Sequence, residues 1–238
     1  MKKAIVVGAS SGIGHQIAVL LAVNGYKVGI TGRRDQLLLN LQSSNPEQFI
    51  VSVFDATDIA NIPQYLDQLT DELGGLDLVV LSSGTGKINE TLDTKIEEET
   101  NALNVNAFTA IADWSFSFFK KQGFGHFTAI TSIAGIRGSR QAPAYFASKA
   151  YQINYLEGLR QKAKYTKLPI YITDIRPGFV DTAMAAGENL FWVASVEKAA
   201  RQIYSAIERK RDVVYVTKRW RLVGFLFRIL PKFIHKRL

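Results

Sequence analysis

The chain has no cysteine, which excludes a disulfide framework, a thiolate zinc site and a cysteine nucleophile. Histidine is scarce: His15, His126 and His235 stand far apart with no metal-ligand spacing, so no metal site is expected. No run approaches the roughly 18 uninterrupted apolar residues of a membrane span. Lys2 and Lys3 precede only four apolar residues before Gly8, too few for a secretory signal core, and a cytoplasmic protein is expected.

What is present fits one α/β domain: 238 residues, 47% apolar and 21% charged. The net charge of +8 is uneven. Residues 209–238 carry ten Lys or Arg against one acid, Asp212, a net +9 that leaves the preceding 208 residues at −1. The basic character belongs to the tail. It lies on an apolar segment without a recognition motif, so no nucleic-acid partner is expected.

The apolar run Ala4 to Val7 leads at once into GASSGIG (8–14), then into a helical pattern through Ile17, Leu20 and Leu21 that stops at Asn24-Gly25. A second strand, Lys27 to Thr31, follows. Strand, glycine-rich turn, helix and strand make the unit that holds a dinucleotide. The glycines let backbone approach a pyrophosphate, and the helix start offers that phosphate free N–H groups. Further strands are expected at Phe49–Phe54, Leu78–Leu81, Phe127–Thr131, Ile170–Ile175 and Val213–Val216. Helices are expected at Ile59–Leu73, Ile96–Lys121, from the Tyr145 region to Lys164, and at Val196–Glu208. This alternation predicts a doubly wound parallel α/β sheet with helices on both faces. One domain over 1–217 and a basic helical tail over 218–238 are the expected organisation.

Within ITSIAGIRGSRQAPAYFASKAY (130–151), Ser132 directly follows a strand-like run, while Tyr145 and Lys149 stand four apart in a helix-favouring segment. That spacing puts both on one helical face. A free phenol has a pKa near about 10 and exchanges protons sluggishly at neutral pH; a nearby ammonium favours the phenolate. The two residues are a candidate acid–base couple.

Together these motifs resemble the short-chain dehydrogenase/reductases in their single-domain form, over residues 3–217. GASSGIG is similar to the family's cofactor turn, with Val7 where threonine is usual. Ser132, Tyr145 and Lys149 match the catalytic serine and the Tyr-x-x-x-Lys pair, and Asn106 in NVNAF is matched to the asparagine of the catalytic tetrad. Pro177-Gly178 with Thr182 matches the segment that covers the nicotinamide. One motif departs: where the family has Asn-Asn-Ala-Gly, this chain reads Leu81-Ser82-Ser83-Gly84.

The resemblance implies a seven-stranded, Rossmann-like sheet with the cofactor across the C-terminal strand edge. It implies cofactor contacts from Gly8, Ser10, Ser11, Gly12, Ile13, Gly14, Asp55, Ala56, Gly84, Tyr145, Lys149, Pro177, Gly178, Val180 and Thr182. It also implies roles in hydride transfer between a nicotinamide and a carbonyl or carbinol carbon. Tyr145 is the general acid, Lys149 lowers its pKa and bonds the ribose, and Ser132 orients the carbonyl. Asn106 holds a water that links Lys149 to solvent.

The end of the second strand bears on the choice of nucleotide. An acid there accepts hydrogen bonds from the adenosine ribose of NAD. This chain has Gly32, then Arg33 and Arg34, whose guanidinium groups suit a 2′-phosphate. NADP(H) is therefore expected, and with it reduction of a carbonyl. Phe179, Met184, Phe191 and Trp192 form either an apolar lid over a lipid-like ketone or aldehyde, or ordinary packing. A 3-oxoacyl-thioester reductase and a non-catalytic NADP-binding scaffold or sensor are the alternatives.

Residues 220–230, WRLVGFLFRIL, are apolar nearly all round, with Arg221, Gly224 and Arg228 on one narrow stripe. Such a helix either contacts an anionic membrane peripherally or packs on its own domain or another subunit. Phe108, Ile111, Trp114, Phe116, Phe118 and Phe119 wrap more than one face of the segment 96–121. Family members dimerise through this helix and the one bearing Tyr145, so a homodimer or tetramer is expected.

Overall fold

The computed structural model describes residues 1–184 and 191–235. Its strands are β1 (Lys2–Val7), β2 (Tyr26–Gly32), β3 (Phe49–Val53), β4 (Leu78–Leu81), β5 (Gly125–Ile130), β6 (Ile170–Pro177) and β7 (Val213–Val216). They form one sheet in the order β3-β2-β1-β4-β5-β6-β7, parallel throughout. The central strands are Val-, Ile- and Leu-rich and buried on both faces, a pattern that must be covered by two layers of helices.

The helices are α1 (Gly12–Val23), α2 (Asp35–Ser44), α3 (Ile62–Leu73), α4 (Thr94–Asn101), α5 (Phe108–Gln122), α6 (Pro143–Thr166), α7 (Val196–Glu208), α8 (Trp220–Ile229) and α9 (Lys232–His235). Against one face of the sheet, α1, α2 and α7 bury Ile17, Leu21, Leu38, Ile203 and Ile207. Against the other, α3, α5 and α6 bury Leu66, Ile111, Phe119 and Leu156. Hiding one such phenyl group contributes roughly 1.5–3 kcal/mol. At Phe119 the sequence makes room with Gly125, where a Cβ would stand 2.0 Å from the ring.

Helix ends follow local chemistry. Pro63 stands in the first turn of α3, and Gly74 closes it at φ +73, the left-handed conformation that glycine adopts without strain. Two boundaries depart from expectation, and α2 lies where no helix is expected. The segment Ile59–Asn61 is a 3₁₀ turn ahead of α3. The run Leu37-Leu38-Leu39 hides the period of α2, where only Leu38 and Leu41 are buried. Most consequentially, the helix expected over Ile96–Lys121 is α4 and α5 joined by a π-helical segment, Ala102–Ala107.

The tail continues from β7 onto the domain. Trp220 is buried, with its ring laid on Gly178, and Gly224 closes on Ile133 and Ile136. No helix among the described residues is long and apolar enough to cross a membrane.

Candidate active site

Strand order reverses between β1 and β4, and crevices open at such a point above the C-terminal strand ends. Here a cleft of about 1650 Å³ runs from the glycine turn to the tail. Gly8 has φ +90 and Gly12 φ +58, values that side chains other than glycine adopt only with strain. A Cβ on Gly14 would stand 2.2 Å from the Gly8 carbonyl oxygen, so the turn folds against itself. Ser11 makes no side-chain cap to α1, which leaves the first-turn N–H groups of Gly12, Ile13 and Gly14 for an anion. Thr182 leans over this turn, its Cγ2 standing 3.3 Å from where a Gly12 Cβ would be. Val180 is held in place by a bridge to Ala194.

At the next strand end, Gly32 leaves the place of an acid empty of side chain. Arg34 donates to the Ser10 hydroxyl at 3.1 and 2.7 Å and to the Ser11 hydroxyl at 2.6 Å. Arg33 lies 3.5 Å from Asp55. Asp55 also accepts from the Thr57 backbone N–H and hydroxyl. Burial alone would raise its pKa, but these bonds and the Arg33 charge outweigh burial and lower it. Asp55 and Ala56 line this end of the cleft, so both arginines and the carboxylate meet where the sequence puts the adenosine end.

Ser132 caps a short 3₁₀ turn beyond β5, accepting from the Ala134 N–H at 3.1 Å. From α6, Tyr145 and Lys149 reach the same wall of the cleft. The Tyr145 ring lies on Gly86, where a Cβ would stand 2.6 Å from Cδ2. The Lys149 ammonium lies 5.8 Å from the Tyr145 ring centroid and is 4% exposed. It donates to the Ile130 carbonyl at 3.3 Å and to Gln152 Oε1 at 3.1 Å. Burial pushes Lys149 down to about 8, against the pull of Asp174. Burial also raises the Tyr145 phenol, with the Ser132 hydroxyl countering. Desolvation is the largest influence on both groups, ahead of the ammonium–phenol attraction that the four-residue spacing predicts.

Asn106 does not join them. It is exposed, and the position expected for it belongs to Asn104, two residues earlier and fully buried. Asn104 accepts from the Thr85 N–H at 2.9 Å and donates to the Thr85 carbonyl at 2.7 Å and to the Ser148 hydroxyl at 3.0 Å. The freed backbone of a π turn explains the difference. The Asn104 carbonyl accepts from Gln152 Nε2 at 2.8 Å rather than serving an α-helical ladder alone. Gly84 passes close beneath, since a Cβ there would stand 3.4 Å from Asn104 Oδ1 and 3.5 Å from Lys149 Nζ. Motif reading missed Asn104, Gln152 and Gly86. The signal for Gln152 was available: three residues beyond Lys149, it shares that helical face.

Pro177 ends β6, and Gly178 donates to the Val216 carbonyl at 2.7 Å. Beyond it, Phe179 and Phe191 pack edge-on at 5.8 Å, and Trp220 meets them at 5.3 and 5.2 Å. This aromatic cluster and Met184 line the cleft. Trp192 packs on Phe191 and Trp220 from outside it.

A sequence profile described as short chain dehydrogenase matches residues 2–191. An uncharacterized oxidoreductase of Mycobacterium tuberculosis (strain CDC 1551 / Oshkosh) is 29% identical over 219 residues, covering 88% of this chain and 85% of that protein. One of Staphylococcus aureus (strain USA300) is 32% identical over 193 residues, 79% of this chain and 82% of the relative. The crystal structure of levodione reductase superposes with a TM-score of 0.81 at 20% identity, over 90% of this chain and 95% of that one; at that identity the likeness is one of fold. Since the profile match spans most of the chain and takes in the glycine turn, Ser132, Tyr145 and Lys149, the protein belongs to the short-chain dehydrogenase family of oxidoreductases.

Proposed function

We propose that the protein is an NADP(H)-dependent reductase of apolar ketones or aldehydes. The reading rests on the convergence of Ser132, Tyr145 and Lys149 on one wall of the cleft that begins at the glycine turn. The residues present fit a nicotinamide dinucleotide: a folded glycine turn with free helix N–H groups, two arginines at the far strand end, and Gly84 and Gly178 along the path. When bound there, the dinucleotide supplies the hydride.

The chain's own groups then handle the oxygen and the proton. Ser132 accepts from a backbone N–H and keeps its own hydrogen to donate to the substrate oxygen. Tyr145 gives that oxygen its proton. A phenol raised by burial stays protonated at neutral pH, which favours the reductive direction. Lys149 resupplies the proton, and Gln152 connects it to the carbonyl of Asn104, so Asn104 rather than Asn106 is assigned the fourth role. The aromatic cluster of Phe179, Phe191 and Trp220 supports an apolar substrate.

The test is NADPH consumption over ketones, aldehydes and acyl thioesters of increasing chain length. Rising kcat/KM with chain length supports the reading. Equal turnover of small hydrophilic and long-chain ketones removes the apolar class, and turnover of acyl thioesters alone assigns the protein as a thioester reductase. Tyr151 stacks on Tyr155 one turn along the same face of α6, beside Phe108 of α5. We assign this aromatic face to a second copy, and its check is the molecular mass in solution of Tyr151→Glu against the native chain.

A further inference from the structure

A surface helix ordinarily buries its apolar side and turns its polar side to water, whereas α8 carries a second apolar face that is turned to water. Its inner side is anchored: Trp220 lies on Gly178, Gly224 on Ile133 and Ile136, and Phe227 lines the cleft. Half a turn round the helix, Leu222, Phe225, Leu226 and Ile229 point outward and are 61, 57, 50 and 60% exposed. Phe233 and Ile234 of α9, which follows directly, are exposed as well. Arg221 and Arg228 fall on one flank at helical spacing, and Lys218 and Arg219 precede the first turn.

The segment is held firmly in this pose. Arg137 donates to the carbonyls of Phe227 at 2.6 Å and Leu230 at 2.5 Å, closing the C-terminal end of α8. The His235 ring pairs with the Gly138 carbonyl at 3.0 Å. Both ties reach the loop that follows Ser132.

We propose that the outer face of α8 and α9 seats the protein on an anionic lipid bilayer. The occupant is chosen by charge. Residues 218–238 hold seven Lys or Arg and no acid, so a second copy of this face would meet it with like charge. An acidic bilayer offers apolar depth for the four outward side chains and negative headgroups for the arginines beside them. Phe227 and His235 of the same segment line the cleft, which places the substrate wall directly behind the lipid-facing surface. Docking itself does not depend on the proposed reaction, and its test needs no turnover.

The full chain is sedimented with vesicles of phosphatidylglycerol and phosphatidylcholine, and with phosphatidylcholine alone. It is compared with the variant Leu222→Ser/Phe225→Ser/Ile229→Ser and with Arg221→Gln/Arg228→Gln, each checked for native circular dichroism and Tm. Expected are binding to the anionic vesicles that weakens with salt, and a loss of roughly tenfold or more in both variants. A native chain left in the supernatant with anionic vesicles overturns the proposal, as does equal binding by the serine variant. A native oligomer that the serine variant dissociates, without vesicle binding, gives the face to a second copy and overturns it too.

Discussion

The Lys149 ammonium donates to Gln152 Oε1 at 3.1 Å, and the same amide passes its own N–H to the Asn104 carbonyl at 2.8 Å. One side chain thus joins the α6 lysine to the π-helical segment before α5. Gln152 is buried, so this contact is shielded from competition by solvent.

Gln152 is accordingly a positioning residue. Gln152→Leu removes an acceptor from a buried ammonium and drives its pKa further below about 8. The alkaline limb of kcat/KM should shift to lower pH and kcat should fall by roughly tenfold or more, with KM for the cofactor changed less. An unaltered pH profile would limit Gln152 to packing.

Lys149 carries a stability signature of its own. Its folded pKa, about 8, lies below its ordinary 10.5. Below about 8 both folded and unfolded chains carry the charge, and burying it costs stability. Between about 8 and 10.5 the folded lysine sheds its proton while the unfolded one keeps it, so stability rises with pH across that window. In urea unfolding, the native chain should gain on Lys149→Met from pH 8 to 10.5 by about 1.4 kcal/mol per unit of displacement. A pH-independent difference contradicts this.

Arg34 is bound to the hydroxyls of the glycine turn, poised over the expected 2′-phosphate position. Arg34→Ala should raise KM for NADPH by roughly tenfold to a hundredfold, as the loss of charge-assisted hydrogen bonds implies, and leave NADH little changed. Equal losses with both nucleotides would remove the NADP assignment.

Gly178 has no room for a methyl group: a Cβ would lie 1.9 Å from Trp220 Cε2. Gly178→Ala should destabilise the protein by roughly 1–3 kcal/mol through overpacking. Gly178→Ala/Trp220→Leu should recover part of that loss relative to Trp220→Leu alone. If Gly178→Ala melts like the native chain, the tail does not rest on this glycine.

The fold was legible because every central strand is a short apolar run and turn residues separate the elements. That the glycine turn, Ser132, Tyr145 and Lys149 line one cleft was legible because each proposed chemistry needs one residue type at one spacing. Asn104 was not. Asn-Val-Asn offers two candidates two residues apart, and helical periodicity cannot choose where the helix widens into a π turn. The tail was half legible: a segment apolar all round says that some face is buried, but the contacts of Trp220 with Gly178 and of Gly224 with Ile133 and Ile136 say which.

The most direct test of the central claim compares the native chain with Tyr145→Phe, measuring NADPH binding by fluorescence and NADPH-dependent reduction of an apolar ketone. The phenol is the proposed proton donor and the ring packs on Gly86 without its hydroxyl. The account predicts a Kd for NADPH within a few-fold of the native value and a fall in kcat of roughly a hundredfold or more. Reduction within a few-fold of the native rate would contradict it.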